Sequence, residues 1–317
     1  MLEVYVSRKI SEAEGVCSFE LMPANGGQLP AFTAGAHVDV HVAPGFVRQY
    51  SLCNAPHERD RYLIAVLNEP ASRGGSRGMH IDVAEGSKLS IGSPRNLFDL
   101  DLTGDRYVLF AGGIGITPIL AMAHTLVAEG KRFELHYCGR SIERLAFIGI
   151  LNEAPFANYV HVHVDDGPSE QRLDAARILA NPAQGDQLYV CGPSGFMSHI
   201  QSTAKVSGWS DENIHREDFA APSQVLEGDQ PFEIELSRSG RVIQVPAQKS
   251  ALEALLEHDV EIETSCEQGI CGACVTRVLA GEPDHRDQFM NATEHARNDS
   301  FTPCCSRSRS PRLVLDL

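Results

Sequence analysis

The chain has 317 residues, 43% hydrophobic and 22% charged, with a formal net charge of −15. That length points to two or three domains, and the acidic balance argues against nucleic acid and anionic membranes as partners. No apolar run reaches the roughly eighteen residues a membrane span needs, and the N-terminal MLEVYVSRKI reads as a strand rather than an export signal. Nine cysteines without such a signal imply a cytoplasmic, reducing setting and a metal site rather than a disulfide framework.

The first hundred residues alternate with period two. Val4, Val6 and Ile10, then Phe19 and Leu21, mark strands, as do 36–42, 47–52, 62–67 and 88–91. Turn signals at Asn25-Gly26-Gly27, Pro44-Gly45 and Glu85-Gly86 separate them, which predicts a small antiparallel barrel. Two stretches interrupt it. Arg48-Gln49-Tyr50-Ser51 puts Arg48 and Tyr50 on one strand face; alone it is an ordinary edge strand. Ser72 to Gly78, SRGGSRG, is a Gly-rich turn opening a short helix. Its free N–H groups, with Arg73 and Arg77, make it either an anion site or a plain flexible loop.

The pattern then changes. Residues 107–111 form a continuous apolar run, as in a buried parallel strand. Gly112-Gly113-Ile114-Gly115-Ile116-Thr117-Pro118 follows, and a helix begins, with Thr117 as N-cap, Pro118 at its first position and Gly130 as its stop. Strand, glycine turn and helix start together form a pyrophosphate cradle, without the G-x-G-x-x-G fingerprint. Strands at 133–137, 160–164 and 188–191 alternate with helices at 145–151, 173–180 and 194–206, which predicts a doubly wound parallel sheet. Ligands bind at the C-terminal ends of such strands, which places Cys138-Gly139-Arg140 and Cys191-Gly192-Pro193 at the site. Cys191 is equally a candidate core thiol.

Residues 220–231 carry two prolines and little periodicity, as a linker does. A hairpin of 232–236 and 242–245, a helix at 251–258 burying Leu252, Leu255 and Leu256, and a closing strand at 313–315 predict a small mixed sheet with one helix across it. Between them lies SCEQGICGAC. Cys266, Cys271 and Cys274 stand in C-x4-C-x2-C spacing, with Cys304 downstream. This is the plant-type [2Fe–2S] pattern, four thiolates around two irons. Zinc sites favour two C-x2–4-C knuckles, and only one such pair exists here. Cys305 competes with Cys304 for the fourth position; on an extended chain the two would point opposite ways, so one alone would face the cluster.

Taken together, RQYSLCN at 48–54, SRGGSRG at 72–78, AGGIGITP at 111–118, CGPSGFM at 191–197, CEQGICGAC at 266–274 and GEPDHRD at 281–287 resemble the phthalate dioxygenase reductase family, across essentially the whole chain. The resemblance implies an FMN-binding β-barrel at 1–102, an NAD-binding domain at 103–222, a linker at 223–231 and a β-grasp [2Fe–2S] ferredoxin domain at 232–317. It implies that Arg48, Gln49, Tyr50, Ser51, Ala65, Val66, Leu67, Arg73, Gly74, Gly75, Ser76, Thr117 and Phe219 contact FMN. Leu67 stands where many relatives carry a lysine. Gly112, Gly113, Gly115, Pro118, Arg140, Cys191, Gly192 and Pro193 would face NADH. Ser51, Cys191, Glu217 and Phe219 would line the hydride path. Family members read Cys-x-Ser-Arg at the fourth ligand, which selects Cys304. The implied activity is hydride uptake from NADH by FMN and release of single electrons through [2Fe–2S] to a terminal Rieske oxygenase. An acidic face at Glu261, Glu263 and Glu267 would steer that docking. The rival reading is a redox sensor or electron-carrier module without dehydrogenase activity.

Overall fold

The computed structural model describes residues 1–43, 46–69, 75–219, 226 and 228–317, and they fall into two compact units, Met1–Phe219 and Ala220–Leu317.

In the first unit the alternating segments form β1 (Leu2–Ala13), β2 (Val16–Pro23), β3 (Ala36–Ala43), β4 (Phe46–Ser51) and β5 (Tyr62–Leu67). Helix α1 (Gly75–Ile81), β6 (Lys88–Ile91) and β7 (Arg95–Asn96) follow. The strands pair antiparallel in the order β4-β3-β6-β1-β2-β5, with β7 on β3. A bridge from Leu52 to Ile64 links the two ends of that order, so the sheet closes on itself. Every second residue turns inward: Val4, Val6, Phe19, Leu21, Val38, Val40 and Ile64 are fully buried in one core.

The second half of this unit holds β8 (Arg106–Gly112), α2 (Ile116–Ala128), β9 (Arg132–Gly139), α3 (Ile148–Glu153) and β10 (Val160–Val164). Helix α4 (Ala175–Ile178), β11 (Asp186–Cys191), α5 (Ser194–Val206) and β12 (Ile214–Glu217) complete it. Its sheet is wholly parallel, ordered β10-β9-β8-β11-β12. Alternation along β8 serves two cores: Tyr107, Leu109 and Ala111 pack with α2, whereas Val108 and Phe110 pack with α4 and α5. The continuous apolar run is the signature of that double burial. Val16, Ala34, Cys53 and Ala65 of the barrel share a core with Ile116, Ile119 and Leu120 of α2, so position 102 lies inside one compact unit.

Three local expectations are corrected. Gly115, not Thr117, precedes α2, because a 3-10 turn at Gly113–Gly115 starts the winding early; Pro118 sits in the first turn, and Thr117 Oγ1 donates to Ile114 O at 3.0 Å. The expected helix from 145 begins only at Ile148, after Phe147 takes a left-handed φ of 64°. The expected helix at 173–180 is one turn, Ala175–Ile178, capped by Asp174.

The second unit contains β13 (Phe232–Leu236), β14 (Val242–Val245), α6 (Ala251–Leu256), β15 (Thr276–Ala280) and β16 (Pro283–Asp284). Helix α7 (Ala292–Arg297), β17 (Ser300–Phe301), β18 (Arg307–Ser308) and β19 (Arg312–Leu315) follow. The main sheet runs β14-β13-β19-β15-β17, with β13 and β19 parallel and the other pairs antiparallel. A Ser250/Glu253 capping box starts α6, which buries Ala251, Leu252, Ala254 and Leu255. Leu256 is 48% exposed, contrary to expectation: one position past Leu255 the helix has turned away from the sheet. No helix among the described residues is long and apolar enough to cross a membrane.

Candidate active site and cluster pocket

In the parallel sheet, β8 lies between β9 and β11 at the point where strand order reverses, the usual crevice for a ligand. Register sets Ala111, Cys191 and Glu217 side by side at the strand ends. A Cβ on Gly115 would lie 2.3 Å from the Cys191 carbonyl oxygen, so only glycine lets the start of α2 approach that strand. A Cβ on Gly112 would lie 3.0 Å from Pro193 Cδ and one on Gly192 2.9 Å from Gly112 Cα, so Gly112 and Gly115 stand together with Cys191, Gly192 and Pro193; Gly113 lies in the 3-10 turn between them and Pro118 in the first turn of α2. Thr117 is buried there. Arg140 lies exposed just past the end of β9.

Electrostatically this corner is unusual. Burial raises the Cys191 thiol well above its ordinary range, and the neighbouring Glu217 and Asp218 carboxylates add to the effect. Burial, with a smaller contribution from Asp218, pushes the Glu217 carboxyl up to about 8. Its Oε2 has no hydrogen-bond partner among the described residues. Phe219 packs against the same core as α2. The sequence reading missed Asp218, which raises both neighbours' proton affinity while itself paired to Arg216 at 3.1 Å; its acidity beside Glu217 was the available signal.

On the barrel, Arg48 and Tyr50 share a face of β4, opposite Val40 and Val38 of β3. The Tyr50 hydroxyl is buried with no partner among the described residues, and desolvation raises its pKa. Gly75 opens α1 directly against Arg48: a Cβ there would lie 2.5 Å from Arg48 Cγ. Ser51 is buried. Gln49 turns its side chain across the pair, donating to Asp39 Oδ1 at 3.1 Å. Ala65 and Val66 are buried and Leu67 is 37% exposed. The ring nitrogen Nε2 of His80 donates to Val66 O at 2.9 Å and ties α1 to β5. Ser76 Oγ accepts from Glu69 N–H at 3.2 Å. Arg73 and Gly74 lie outside the described residues. An orphaned phenol beside an arginine in a glycine-lined notch is the surface a phosphate-bearing aromatic ligand would complete.

In the second unit the four expected ligands converge. The Cys266 and Cys271 thiols touch, as do those of Cys274 and Cys304. Backbone N–H groups of Gln268 and Ala273 point at Cys266 Sγ (3.3 Å) and Cys271 Sγ (3.4 Å). Gly269 and Gly272 hold left-handed φ values of 77° and 72°, which bend the loop around the sulfurs. Four thiols with N–H groups aimed at them are the donor set of a [2Fe–2S] cluster. The extended-chain expectation for Cys304 and Cys305 is corrected: both lie in a tight turn, where Cys305 N–H bonds to Thr302 O at 3.1 Å. The Cys305 sulfur contacts Cys304. It lies 3.1 Å from Thr302 Oγ1 and beneath Gly269, where an added Cβ would be 2.4 Å away. Thr302, which the sequence reading missed, thus gives the fifth thiol a hydrogen-bond partner of its own.

Comparison with known proteins agrees with this geometry. Residues 234–309 match the 2Fe-2S iron-sulfur cluster binding domain family. The chain is 51% identical over 317 residues to a vanillate O-demethylase oxidoreductase from a Pseudomonas species, covering 100% of both. It is 38% identical to phthalate dioxygenase reductase of Burkholderia cepacia, covering 100% of this chain and 97% of that one. The chain belongs to the phthalate dioxygenase reductase family. A solved phthalate dioxygenase reductase, described as a modular structure for electron transfer from pyridine nucleotides to [2Fe-2S], superposes with a TM-score of 0.79, covering 100% of this chain and 98% of that one. Membership in the family fits the order found here: closed barrel, parallel sheet, then the four-thiol loop in a mixed sheet with one helix.

Proposed function

We propose that this chain is the NADH-dependent reductase component of a two-component oxygenase, and that its partner is a Rieske oxygenase. The observation that carries the reading is a four-thiol pocket on the same chain as a strand-end nucleotide cradle. The cofactors are NADH, FMN and a [2Fe–2S] cluster; bound FMN supplies the exchange between a two-electron hydride and single electrons. Arg48, Tyr50, Ser51, Gly75 and Ser76 would hold the flavin, with Arg48 at its phosphate and the Tyr50 hydroxyl gaining a partner. The N–H groups from Gly112 to Gly115 and the first turn of α2 would receive the pyrophosphate. Cys191 and Phe219 would exclude water from the reacting face. Burial favours the protonated form of the Glu217 carboxyl, which reduces the negative charge beside Asp218 at that corner. Cys266, Cys271, Cys274 and Cys304 would hold the irons, while the Gln268 and Ala273 N–H groups stabilise negative charge on sulfur. Nine free thiols suit a reducing cytoplasm.

The test is anaerobic titration with NADH, followed by reconstitution with the vanillate O-demethylase oxygenase component. Bleaching of both flavin and cluster bands, then NADH-coupled substrate turnover, is the expected result. Coloured centres that stay oxidised under excess NADH would leave a sensor or carrier instead.

A further inference from the structure

Behind the four-thiol pocket, the turn that carries Cys304 encloses a row of buried polar side chains. Thr302 and Ser306 are fully buried and Cys305 is 2% exposed. The turn is pinned by its own backbone: Cys305 N–H and Ser306 N–H both donate to Thr302 O, at 3.1 and 2.9 Å. The side chains then line up. Arg286 N–H donates to Ser306 Oγ at 3.1 Å. Ser306 Oγ lies 2.9 Å from Thr302 Oγ1, which lies 3.1 Å from Cys305 Sγ. Cys305 packs with Cys274 and Cys304 in one buried cluster, and its sulfur contacts the Cys304 thiol. Above it runs the cluster loop, where a Cβ on Gly269 would stand 2.4 Å from Cys305 Sγ.

Donor strength gives this row a direction. A backbone N–H can only donate, so Ser306 Oγ receives at the outer end and has its own proton free for Thr302. An O–H is a stronger donor than an S–H, so in the 3.1 Å pair Thr302 gives and Cys305 accepts. Protein oxygens are poor targets for the Cys305 S–H. Thr302 O and Ser306 Oγ both stand 3.8 Å away, and that carbonyl already accepts two N–H groups. A thiol that coordinates a metal loses its proton. Cluster-bound Cys304 is therefore an anionic acceptor beside Cys305, and hydrogen bonds to charged acceptors are the stronger ones. Successive bonds in such a row polarise one another.

We propose that Cys305 is a positioning residue for the cluster: its thiol donates a hydrogen bond to the Cys304 sulfur, is held in that orientation by the Arg286–Ser306–Thr302 row, and thereby raises the cluster's reduction potential. The proposal rests on Cys304 being a cluster ligand. Reduction adds negative charge to the irons and their sulfurs, so a donor aimed at a ligand sulfur favours the reduced state. No proton changes hands. The N–H groups of Gln268 and Ala273 serve Cys266 and Cys271 in the same way. Cys305 does so for the ligand that comes from outside the loop. One such bond makes reduction about fivefold more favourable.

The experiment uses full-length protein loaded with flavin and cluster, titrated anaerobically against redox mediators and followed by the paramagnetic resonance signal of the reduced cluster. Iron and sulfide are measured on the same samples. Cys305→Ala is expected to keep both, while its equilibrium constant for cluster reduction falls about fivefold. Cys305→Ser restores a donor and is expected to return that constant to the wild-type value. Equal constants in wild type and Cys305→Ala, or an equal fall in both variants, overturns the proposal. Redox-difference infrared spectra of wild type give a second reading that needs no variant. On reduction the acceptor sulfur gains charge, so a buried S–H stretching band should move to lower frequency. Iron-replete wild type whose S–H bands do not move overturns the proposal; wild type that cannot be loaded with iron and sulfide overturns the cluster reading and the proposal with it.

Discussion

Replacing Glu217 by glutamine removes a carboxyl that the fold keeps neutral. Burial, reinforced by Asp218, raises that carboxyl from 4.5 to about 8. One pKa unit corresponds to about 1.36 kcal/mol, so ionising the folded chain costs up to about 5 kcal/mol relative to the unfolded one. The sign follows from the proton count. Between pH 4.5 and 8 the folded state holds a proton that the unfolded state has released, so stability falls as pH rises through this window. Below it both states are protonated and the glutamine variant gains nothing. Above it the variant is expected to be more stable than wild type by about 2–5 kcal/mol. The chain has a single tryptophan, Trp209, buried in the same unit, so urea unfolding followed by its emission reports the transition directly. A variant-minus-wild-type difference that is flat from acid to alkaline pH would refute a secluded, protonated Glu217.

Four further outcomes are expected. Cys304→Ser should lose the cluster's visible bands and its iron, whereas Cys305→Ser, whose sulfur is held by Thr302, should keep both. Gly115→Ala places a methyl group 2.3 Å from the Cys191 carbonyl; the resulting displacement should slow NADH-driven flavin reduction by about 100-fold in stopped flow, with iron content unchanged. Tyr50→Phe removes a buried hydroxyl without a described partner, so flavin-free protein should gain about 1 kcal/mol while FMN binding weakens about fivefold or more by fluorescence titration. Asp229 is held down to about 2, chiefly by hydrogen bonding to Arg286 at 2.6 Å. Its contribution of about 2 kcal/mol should therefore be present above pH 3.8 and lost as pH falls through 2, and Asp229→Asn should flatten that acid limb in thermal melts.

The legible parts of the sequence were those in which one local rule decides the outcome. Helix α5 runs Ser194–Val206 and β5 runs Tyr62–Leu67, as the patterns predict, because each has a clear period and clear ends. Around Leu145 and Leu173 the apolar residues suited a helix, but tertiary burial used them differently: Leu145, Ala146 and Phe147 are buried before the helix begins. The start of α2 departs from the expectation for a related reason. Thr117 has N-cap chemistry, yet the glycines before it permit a 3-10 turn that carries the winding back to Gly113. Local propensity is a weak prior wherever packing offers an alternative.

The same distinction divides the sites. Three cluster cysteines lie within nine residues, so their spacing alone carries the chemistry. Glu217 meets Cys191 only because β12 pairs with β11 in parallel at that register; a shift of one residue would bring Asp218 or Arg216 there instead. His295 reaches Asp287 only because α7 folds back after a capped start. Contacts of this kind depend on strand register and helix direction, which are global properties. They set the electrostatics of a site whose ligands are local. It follows that a substitution preserving every motif, but shifting the register of β12, should abolish the raised Glu217 carboxyl and leave the cluster's iron content untouched.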